Sequence, residues 1–410
     1  MAARLGAQAA QGGSQREQIQ GVVESLSKLK GAAMKLGQTV SVEMRDLLPP
    51  EVIEVLSSLQ DQGSALSGAQ IREILQKEWS PYPELEAFSE APLASASIGQ
   101  VHAARYRGQE IVLKVQFPGI ARSIESDIAG MGVILKSLLT LSGRKMALEP
   151  FLEELAQIFK QETDYLQEAS FLKEYAQHFS QWPGYRIPQV IDELTTPRVL
   201  AMTRERGLKP LDWVKLRQPS QSLRDRVAAR FLDLYELEFF RMGLVQTDPN
   251  FANFLIDDSV DRQNPTLTLL DLGASKRFEP VFVSEYRRLL QLTREGSHPE
   301  LLEQCMKLSL LDPRESAETQ ALLVELLQTA IRPFRPELQP FDFRDADYAR
   351  DTREAALRLS QSCRFSPPPR NILFLHRKLG GLFNLAKALE AQIDLTAYWE
   401  RLVSQPTHGV

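Results

Sequence analysis

Two aspartates and an asparagine in the middle of the chain have the residue types and spacing that phosphoryl transfer requires. Asp248 is followed five residues later by Asn253, and two apolar runs then lead to Asp271-Leu272-Gly273. Proteins that transfer a phosphoryl group orient the nucleophile and hold magnesium against phosphate oxygens. This arrangement predicts that Asp248 orients the nucleophile and that Asn253 and Asp271 bind magnesium.

The same residues have a simpler interpretation when they are taken alone. Asp-Pro-Asn is a common turn sequence, and Gln246-Thr247 stand where a protein kinase has His-Arg. The chemistry therefore depends on whether the rest of the chain supplies the elements that would position a nucleotide.

A run of small residues precedes a pair of predicted strands. Small side chains allow backbone N–H groups to approach phosphates, and the second strand, at 110–117, carries Lys114. Met202 ends a later predicted strand at 198–202, after another predicted at 186–191. The candidate cofactor-binding residues are Ala94, Ser95, Ala96, Ser97, Ile98, Gly99, Lys114 and Met202.

Lys114 lies between apolar residues, which indicates a buried strand, and a buried lysine needs a counter-charge. Helices are predicted at 120–141 and 149–180. The second contains Glu162, Asp164 and Glu168, of which Asp164 and Glu168 would share a face. One of these carboxylates could meet Lys114; the alternative is a solvated acidic face.

The front of the chain is predicted to be helical. Apolar residues recur at helical spacing over 15–48, and two further helices follow Pro49-Pro50. Lys35 and Gln38 lie in the first helix beside several small residues. Taken alone, this pattern is typical of a close helix–helix contact in which Lys35 reaches water.

The order of these elements predicts an α+β, two-lobed protein-kinase-like fold with an N-terminal helical extension and a mostly helical C-lobe. The predicted domains are 1–90, 91–203 and 204–410, with a polar hinge at 203–207. Only a short link, about 274–278, separates Asp271 from the next predicted helix, near 281–293. A peptide-docking activation segment has no room there.

Composition restricts the function classes. The 410 residues are 43% hydrophobic and 25% charged, as in ordinary soluble proteins, and the net charge of −5 shows no electrostatic footprint for nucleic acid. The two cysteines and five histidines have no metal-ligand spacing. No signal peptide is expected, and Lys136 interrupts the best membrane candidate, at 131–141. We therefore expect a cytoplasmic protein whose membrane contact, if any, is peripheral.

Taken together, the motifs resemble the UbiB-like atypical kinases, a family associated with ubiquinone (coenzyme Q) biosynthesis. The similarity spans about residues 30–280 and consists of four motifs. These are Lys35-Leu36-Gly37-Gln38, the alanine-rich loop Ala94-Ser95-Ala96-Ser97-Ile98-Gly99-Gln100-Val101, Glu162-Thr163-Asp164, and the loop from Gln246 to Asn253.

The resemblance implies ATP and Mg²⁺ as cofactors. It implies that Lys114 holds the α- and β-phosphates and pairs with Glu168, and that Asp248 lies at the γ-phosphate. Lys35 and Gln38 would reach the pocket from the helical extension, anchored by Glu162 and Asp164, and would block a peptide substrate. The implied partners are a nucleotide and a lipid or isoprenoid-quinone precursor at a membrane surface, with no nucleic acid.

Two departures from the family pattern stand out. Ser95 occupies an alanine position, which leaves nucleotide preference open, and the C-terminal region has no membrane-spanning pair like that of some bacterial members. Two other functions stay open. One is a non-catalytic, nucleotide-gated scaffold, and the other is a small-molecule phosphotransferase of the aminoglycoside-kinase type, which would leave Lys35 and Gln38 unexplained.

Overall fold

The computed structural model describes residues 66–95, 98–141, 149–248, 250–366 and 369–404. The chain divides into two compact units. Unit 1 comprises the described residues of Met1–Glu174 together with Pro188–Arg204, and unit 2 comprises those of Tyr175–Ile187 and Glu205–Val410. The division after Arg204 falls inside the polar stretch at 203–207. The predicted helices before residue 66, with Lys35 and Gln38, lie outside the described residues.

The described elements up to residue 204 include both strands and helices, and the later ones are mostly helical. Up to that point they are α1 (Gly68–Glu78), β1 (Ala87–Phe88), β2 (Ala94–Ser95), β3 (Gly99–Tyr106), β4 (Gln109–Gln116), α2 (Ile120–Leu141), α3 (Glu149–Glu162), α4 (Tyr165–Phe179), β5 (Tyr185–Arg186) and β6 (Val199–Thr203).

The later elements are α5 (Pro210–Arg217), α6 (Gln221–Tyr235), a π-helix (Glu236–Met242), β7 (Leu244–Gln246), β8 (Phe254–Asp257), β9 (Thr266–Leu269), β10 (Ser275–Arg277), α7 (Pro280–Glu295), α8 (His298–Lys307), α9 (Ala317–Ala330), β11 (Phe341–Asp342), α10 (Ala346–Ser362), α11 (Arg370–Ala388), β12 (Gln392–Ile393) and α12 (Thr396–Ser404). Short 3₁₀ turns link several of them.

Unit 1 is built on a five-stranded antiparallel sheet with the order β1-β3-β4-β6, in which β2 also pairs with β3. Arg107 and Gly108 both have positive φ, at 49° and 75°, as a tight hairpin turn between β3 and β4 requires. Strand β4 is buried along most of its length because it lies between β3 and β6. This hairpin places Lys114 in the middle of the sheet.

Helix α1 belongs to the core of unit 1. A reciprocal capping box between Ser67 and Gln70 starts the helix. Its apolar face, with Ile71, Leu75 and Trp79, joins Ile111 and other sheet residues in one buried cluster. The segment predicted to end the helical extension thus shares its hydrophobic core with the predicted nucleotide-binding sheet.

The structure corrects the predicted single helix at 149–180. Helix α3 ends at Glu162 and α4 begins at Tyr165. At the break, the Thr163 hydroxyl donates to the Lys160 carbonyl, and the Asp164 carboxylate accepts from the backbone N–H of Gln167 at 3.0 Å. Such local side-chain bonds compete with helical ones and favour helix ends over interiors. Asp164 therefore precedes α4 and does not share its face with Glu168.

The predicted strand at 186–191 is also shorter in the structure. Only Tyr185–Arg186 is a strand, which pairs in parallel with β9 in unit 2. Pro188 follows the strand after one residue and cannot donate a ladder hydrogen bond. Farther along, Val190 forms an isolated bridge with Met202 in unit 1.

Unit 2 has three small sheets beside its helices, formed by β5, β9 and β8, by β7 and β10, and by β11 and β12. Helix α6 continues into the π-helix, which ends at Met242 and is capped by Gly243 with a φ of 62°. The buried side chains of these two helices include Phe231, Tyr235 and Phe239. In the described parts of the chain, no helix combines the length and apolar character needed to cross a bilayer.

We expect the substitution Gly99→Ala to disrupt the β3–β4 pairing. A Cβ atom at this position would lie 2.2 Å from the backbone oxygen of Val115, and backbone atoms cannot move aside cheaply. The local stability of the sheet should fall by about 1–3 kcal/mol. Faster hydrogen exchange at the amides of β3 and β4 would report the loss.

Gly380→Ala is the matched control, because nothing lies within 4 Å of its added methyl group. The control should leave exchange in β3 and β4 unchanged. Wild-type exchange rates in Gly99→Ala would contradict the prediction.

Candidate functional sites in the two units

In unit 1, Lys114 and Glu168 form a buried ion pair. The Lys114 Nζ atom lies 2.9 Å from Oε1 and 2.8 Å from Oε2 of Glu168. Their side chains are 9% and 1% exposed. The inference that Lys114 is buried and needs an acidic partner is confirmed, and Glu168 in the first turn of α4 provides the carboxylate.

Two neighbouring side chains, Tyr165 and Gln116, hold this ion pair in place. Neither was predicted from the sequence. The aromatic ring of Tyr165 lies under the Lys114 ammonium, with 5.2 Å between Nζ and the ring centroid. The buried side chain of Gln116 donates to the Thr163 carbonyl at 3.1 Å and so ties the end of β4 to the break before α4. Gln116 follows Lys114 by two residues, which is the spacing of one strand face.

The carboxylates of Glu162 and Asp164 do not share the position of Glu168. Glu162 is the last residue of α3 and is partly buried, while Asp164 is exposed and caps the start of α4. Of the three predicted acidic residues, Glu168 is therefore the partner of Lys114.

The small-residue run forms a short strand and a turn beside β3. Ala94 and Ser95 are exposed and pair with Val101 and Gln100. Ile98 is 1% exposed, so its side chain belongs to the core, and its carbonyl accepts from the N–H of Phe117 at 2.9 Å. Ala96 and Ser97 lie outside the described residues.

Gly99 and Met202 both belong to the sheet that carries Lys114. Gly99 has no space for a side chain, as described above, and pairs with Gln116. Met202 in β6 pairs with Val112 in β4 and is 5% exposed. Both residues are thus held by the strand ladder.

In unit 2, the predicted catalytic and metal-binding residues lie on adjoining backbone segments. The amide nitrogen of Asn253 donates to Oδ2 of Asp248 at 2.9 Å. The N–H of Leu270, directly before Asp271, donates to the Asn253 carbonyl at 2.9 Å. The structure therefore brings together Asp248, Asn253 and Asp271, which are separated by up to 23 positions in sequence.

A second set of bonds fixes the loops on either side of this group. The N–H and hydroxyl of Thr247 both donate to the Ala274 carbonyl, at 3.0 and 2.7 Å. Strands β7 and β10 pair at the same place, with Gln246 opposite Ser275. The Asp271 carboxylate also accepts from the N–H of Gly273 at 3.0 Å. These bonds limit the freedom of both acidic loops.

The donor set suits magnesium held jointly by protein and phosphate. Mg²⁺ prefers oxygen ligands and commonly takes one or two carboxylates together with substrate phosphates. The bond to Asp248 uses the amide nitrogen of Asn253, so the amide oxygen is directed elsewhere and can act as a ligand. No cluster of three or more His, Cys, Asp or Glu in the described ranges could hold a metal without such help.

Arg377 is a site residue that the sequence analysis missed. Its guanidinium lies 4.0 Å from Oδ1 of Asp248, although the two residues are 129 positions apart in the chain. Arg377 belongs to His376-Arg377-Lys378 in the otherwise apolar centre of α11. The two adjacent cations Arg377 and Lys378 in an apolar stretch were the available sign of a special role. No local sequence feature relates them to Asp248.

Comparison with known proteins identifies the family. The model of the ABC1 atypical kinase-like domain matches residues 58–304. The chain belongs to this family. It is 31% identical over 390 residues to the mitochondrial atypical kinase COQ8 of Saccharomyces cerevisiae, covering 94% of this chain and 76% of the relative. It is 32% identical to the mitochondrial atypical kinase COQ8B of Rattus norvegicus, covering 91% and 69% of the two chains.

A solved structure from Mycobacterium tuberculosis, described as a complex with erythromycin, has a similar fold. The TM-score is 0.63 at 23% identity, with 93% of this chain and 95% of the other covered. At that identity the likeness concerns the fold alone. Together with the family match, it confirms the kinase-like fold predicted for this ABC1 family member.

We expect the substitution Lys114→Met to destabilise unit 1. It removes a cation from a Glu168 carboxylate that is almost fully buried, and breaking a buried pair from one side costs about 3–5 kcal/mol. Urea-induced unfolding at pH 7, followed by hydrogen exchange in β4 and α4, would measure the loss.

The double variant Lys114→Met/Glu168→Gln distinguishes the cost of the unpaired charge from the cost of the altered side-chain packing. It leaves no ionised carboxylate buried, so much of the lost stability should return. A double variant as unstable as Lys114→Met would show that the destabilisation does not arise from the uncompensated charge.

Proposed function

We propose that the protein binds Mg-ATP and acts as an atypical kinase or ATPase. The main support is the arrangement of Asp248, Asn253 and Asp271 on neighbouring backbone segments of unit 2. The buried Lys114–Glu168 pair of unit 1 adds the cation that kinase-like proteins use for phosphates. Membership of the ABC1 family agrees with both observations.

Each of these residues has a separate role in the proposal. Lys114 binds the α- and β-phosphates, and Glu168 keeps its ammonium in place. Asp271 and Asn253 contribute oxygen ligands to Mg²⁺, which neutralises developing charge on the phosphates when bound. Asp248 orients the attacking oxygen, and Arg377 beside it restrains that carboxylate. The segment from Ala94 to Gly99 contacts the nucleotide through backbone N–H groups, and Met202 contacts it as well.

The acceptor of the phosphoryl group is proposed to be water or a small or lipid-linked molecule. Strand β10 ends at Arg277 and α7 begins at Pro280, so the link after Asp271 is too short for an activation segment that docks a peptide. The matched relatives are named as COQ8 atypical kinases. We therefore propose a role in isoprenoid-quinone (ubiquinone) biosynthesis, with peripheral contact to a membrane where the precursor resides.

We further propose that the three predicted domains have distinct tasks. Residues 1–90 regulate the site through Lys35 and Gln38, with Glu162 and Asp164 supporting them. Residues 91–203 bind the nucleotide, and residues 204–410 carry the catalytic and metal-binding loops. The family resemblance of the Lys35-Leu36-Gly37-Gln38 motif is the support for the regulatory part.

Asp271→Asn should reduce magnesium-dependent ATP turnover by about 100-fold or more, because the substitution removes the carboxylate charge that holds the metal. Phosphate release would be measured with and without Mg²⁺, alone and with anionic vesicles or a phenolic quinone precursor. Unchanged magnesium-dependent turnover in Asp271→Asn would contradict the proposed function.

Asp261→Asn is the matched control, since it makes the same chemical change in the exposed turn between β8 and β9. The Asp261 carboxylate accepts from the backbone N–H groups of Gln263 and Asn264 at 2.8 and 3.1 Å, and an amide oxygen can accept the same bonds. Turnover of this control should equal that of the wild type.

Lys35→Ala and Gln38→Ala test the role of the front segment. Each should change the affinity for Mg-ATP by about tenfold, equivalent to about 1.4 kcal/mol, as measured by calorimetry. Lys28→Ala removes a nearby lysine outside the motif and should have no effect. Wild-type affinity in both motif variants would instead favour a phosphotransferase in which the front segment has no part in nucleotide binding.

A further inference from the structure

A lysine from α11 is fully buried in unit 2 beside the loop that carries Asp248. Lys378 has a side-chain exposure of 0%, and its Nζ atom lies 2.9 Å from Oε2 of Glu238, which is equally buried. The same ammonium donates to the side-chain oxygen of Gln246 at 3.1 Å. One buried cation thus joins the α11 helix to the π-helix and to strand β7.

Glu238 is held from several sides. It lies in the π-helix Glu236–Met242, and such irregular helical turns often occur at functional sites. Its Oε1 atom accepts from the Tyr175 hydroxyl at 3.1 Å and lies 3.4 Å from the backbone nitrogen of Gln246. Burial raises the pKa of Glu238, while Lys378, Tyr175 and the Gln246 N–H act in the opposite direction.

Gln246 links the buried ion pair to the loop that carries Asp248. Its side chain is buried, and its amide nitrogen donates to the backbone carbonyl of Asp248. An ammonium can only donate and a carbonyl can only accept, so the amide of Gln246 has one possible orientation between Lys378 and Asp248. A buried charge therefore determines which way the amide points.

We propose that Lys378, Glu238 and Gln246 form a positioning relay that fixes the backbone at Asp248. The inference rests on the proposed function, since Asp248 is the residue it serves. Apolar side chains of similar volume can often replace a buried ion pair without loss of stability. They cannot supply the hydrogen bond that orients Gln246 towards the Asp248 carbonyl, and this bond is what the relay adds.

Two variants separate positioning from stability. Gln246→Met removes the link to Asp248 and leaves the Lys378–Glu238 pair intact. Lys378→Met/Glu238→Gln removes both charges at similar volume and leaves Gln246 without its orienting cation. Lys387→Met makes the same lysine substitution on an exposed part of α11 and is the control.

Both test variants should lower Mg-ATP turnover roughly 10- to 100-fold, because small displacements of a catalytic group have effects of that size. The Kd for Mg-ATP should stay within about twofold in both variants. The melting temperature of the double variant should stay near that of the wild type, because both members of the buried ion pair are replaced together. Hydrogen exchange should accelerate at the described amides of residues 246–253. Lys387→Met should match the wild type in every measurement.

The single variant Lys378→Met gives a pH signature of the buried charge. Without the lysine, Glu238 faces the Tyr175 hydroxyl and the Gln246 amide, and its pKa rises further above the unfolded value. The native state then binds the proton more strongly than the unfolded state, so stability falls as pH rises. Between pH 6 and pH 8, the melting temperature should therefore fall more in Lys378→Met than in the double variant, in which residue 238 carries no carboxylate.

Wild-type turnover and wild-type exchange at 246–253 in both test variants would overturn the relay and leave a purely structural ion pair. If the double variant fails to fold, turnover and exchange in Gln246→Met alone decide whether the relay exists, because this variant keeps the ion pair. If the wild-type protein shows no Mg-ATP turnover, the proposed function fails. The exchange comparison then still tests whether the relay holds the Asp248 backbone.

Discussion

A charge taken out of water needs a partner of opposite sign, and this constraint organises both units. Among the described residues, the buried lysines are Lys114 and Lys378, and each lies within 3 Å of a buried glutamate. Lys114 joins a central strand to helix α4, and Lys378 joins α11 to the π-helix. Moving any of these elements away would leave an uncompensated charge in a low-dielectric interior.

The two pairs differ in what surrounds them. Lys114 pairs with Val101 in β3, and Val101 pairs on its other side with Ala94 in the exposed strand β2. Lys378 of the second pair donates to the side chain of Gln246, whose amide nitrogen donates to the Asp248 carbonyl. Lys114 is thus part of the strand ladder of unit 1, and Lys378 contacts a side chain that is bonded to the Asp248 backbone.

In unit 2, backbone–backbone hydrogen bonds hold the segments that carry Asp248, Asn253 and Asp271 in position. Asn253 bonds to Leu270, Thr247 bonds to Ala274, and β7 pairs with β10. Residues far apart in sequence are therefore fixed by main-chain bonds that depend little on side-chain identity. Such main-chain bonds are compatible with Gln246-Thr247 at the positions where a protein kinase has His-Arg. Gln246 then becomes available for the contact with Lys378.

Local patterns in the sequence were sufficient for much of the fold. A run of small residues followed by an apolar run around Lys114 predicted the β3–β4 strand pair, and helical periodicity predicted the helices of unit 2. The apolar neighbours of Lys114 predicted its burial and hence an acidic partner. The spacing of Asp248, Asn253 and Asp271 suggested that they act together, and the order of the surrounding elements favoured this interpretation over a simple turn.

Other features were decided only by the tertiary structure. Hydrogen bonds at Thr163 and Asp164 end one helix and begin another, although neither proline nor glycine marks the break. The approach of Arg377 to Asp248, and of Lys378 to Glu238 and Gln246, joins segments more than 100 residues apart. Sequence periodicity reports which face of a helix is buried. It does not report which distant segment packs against that face, since the packing of the whole unit determines that choice.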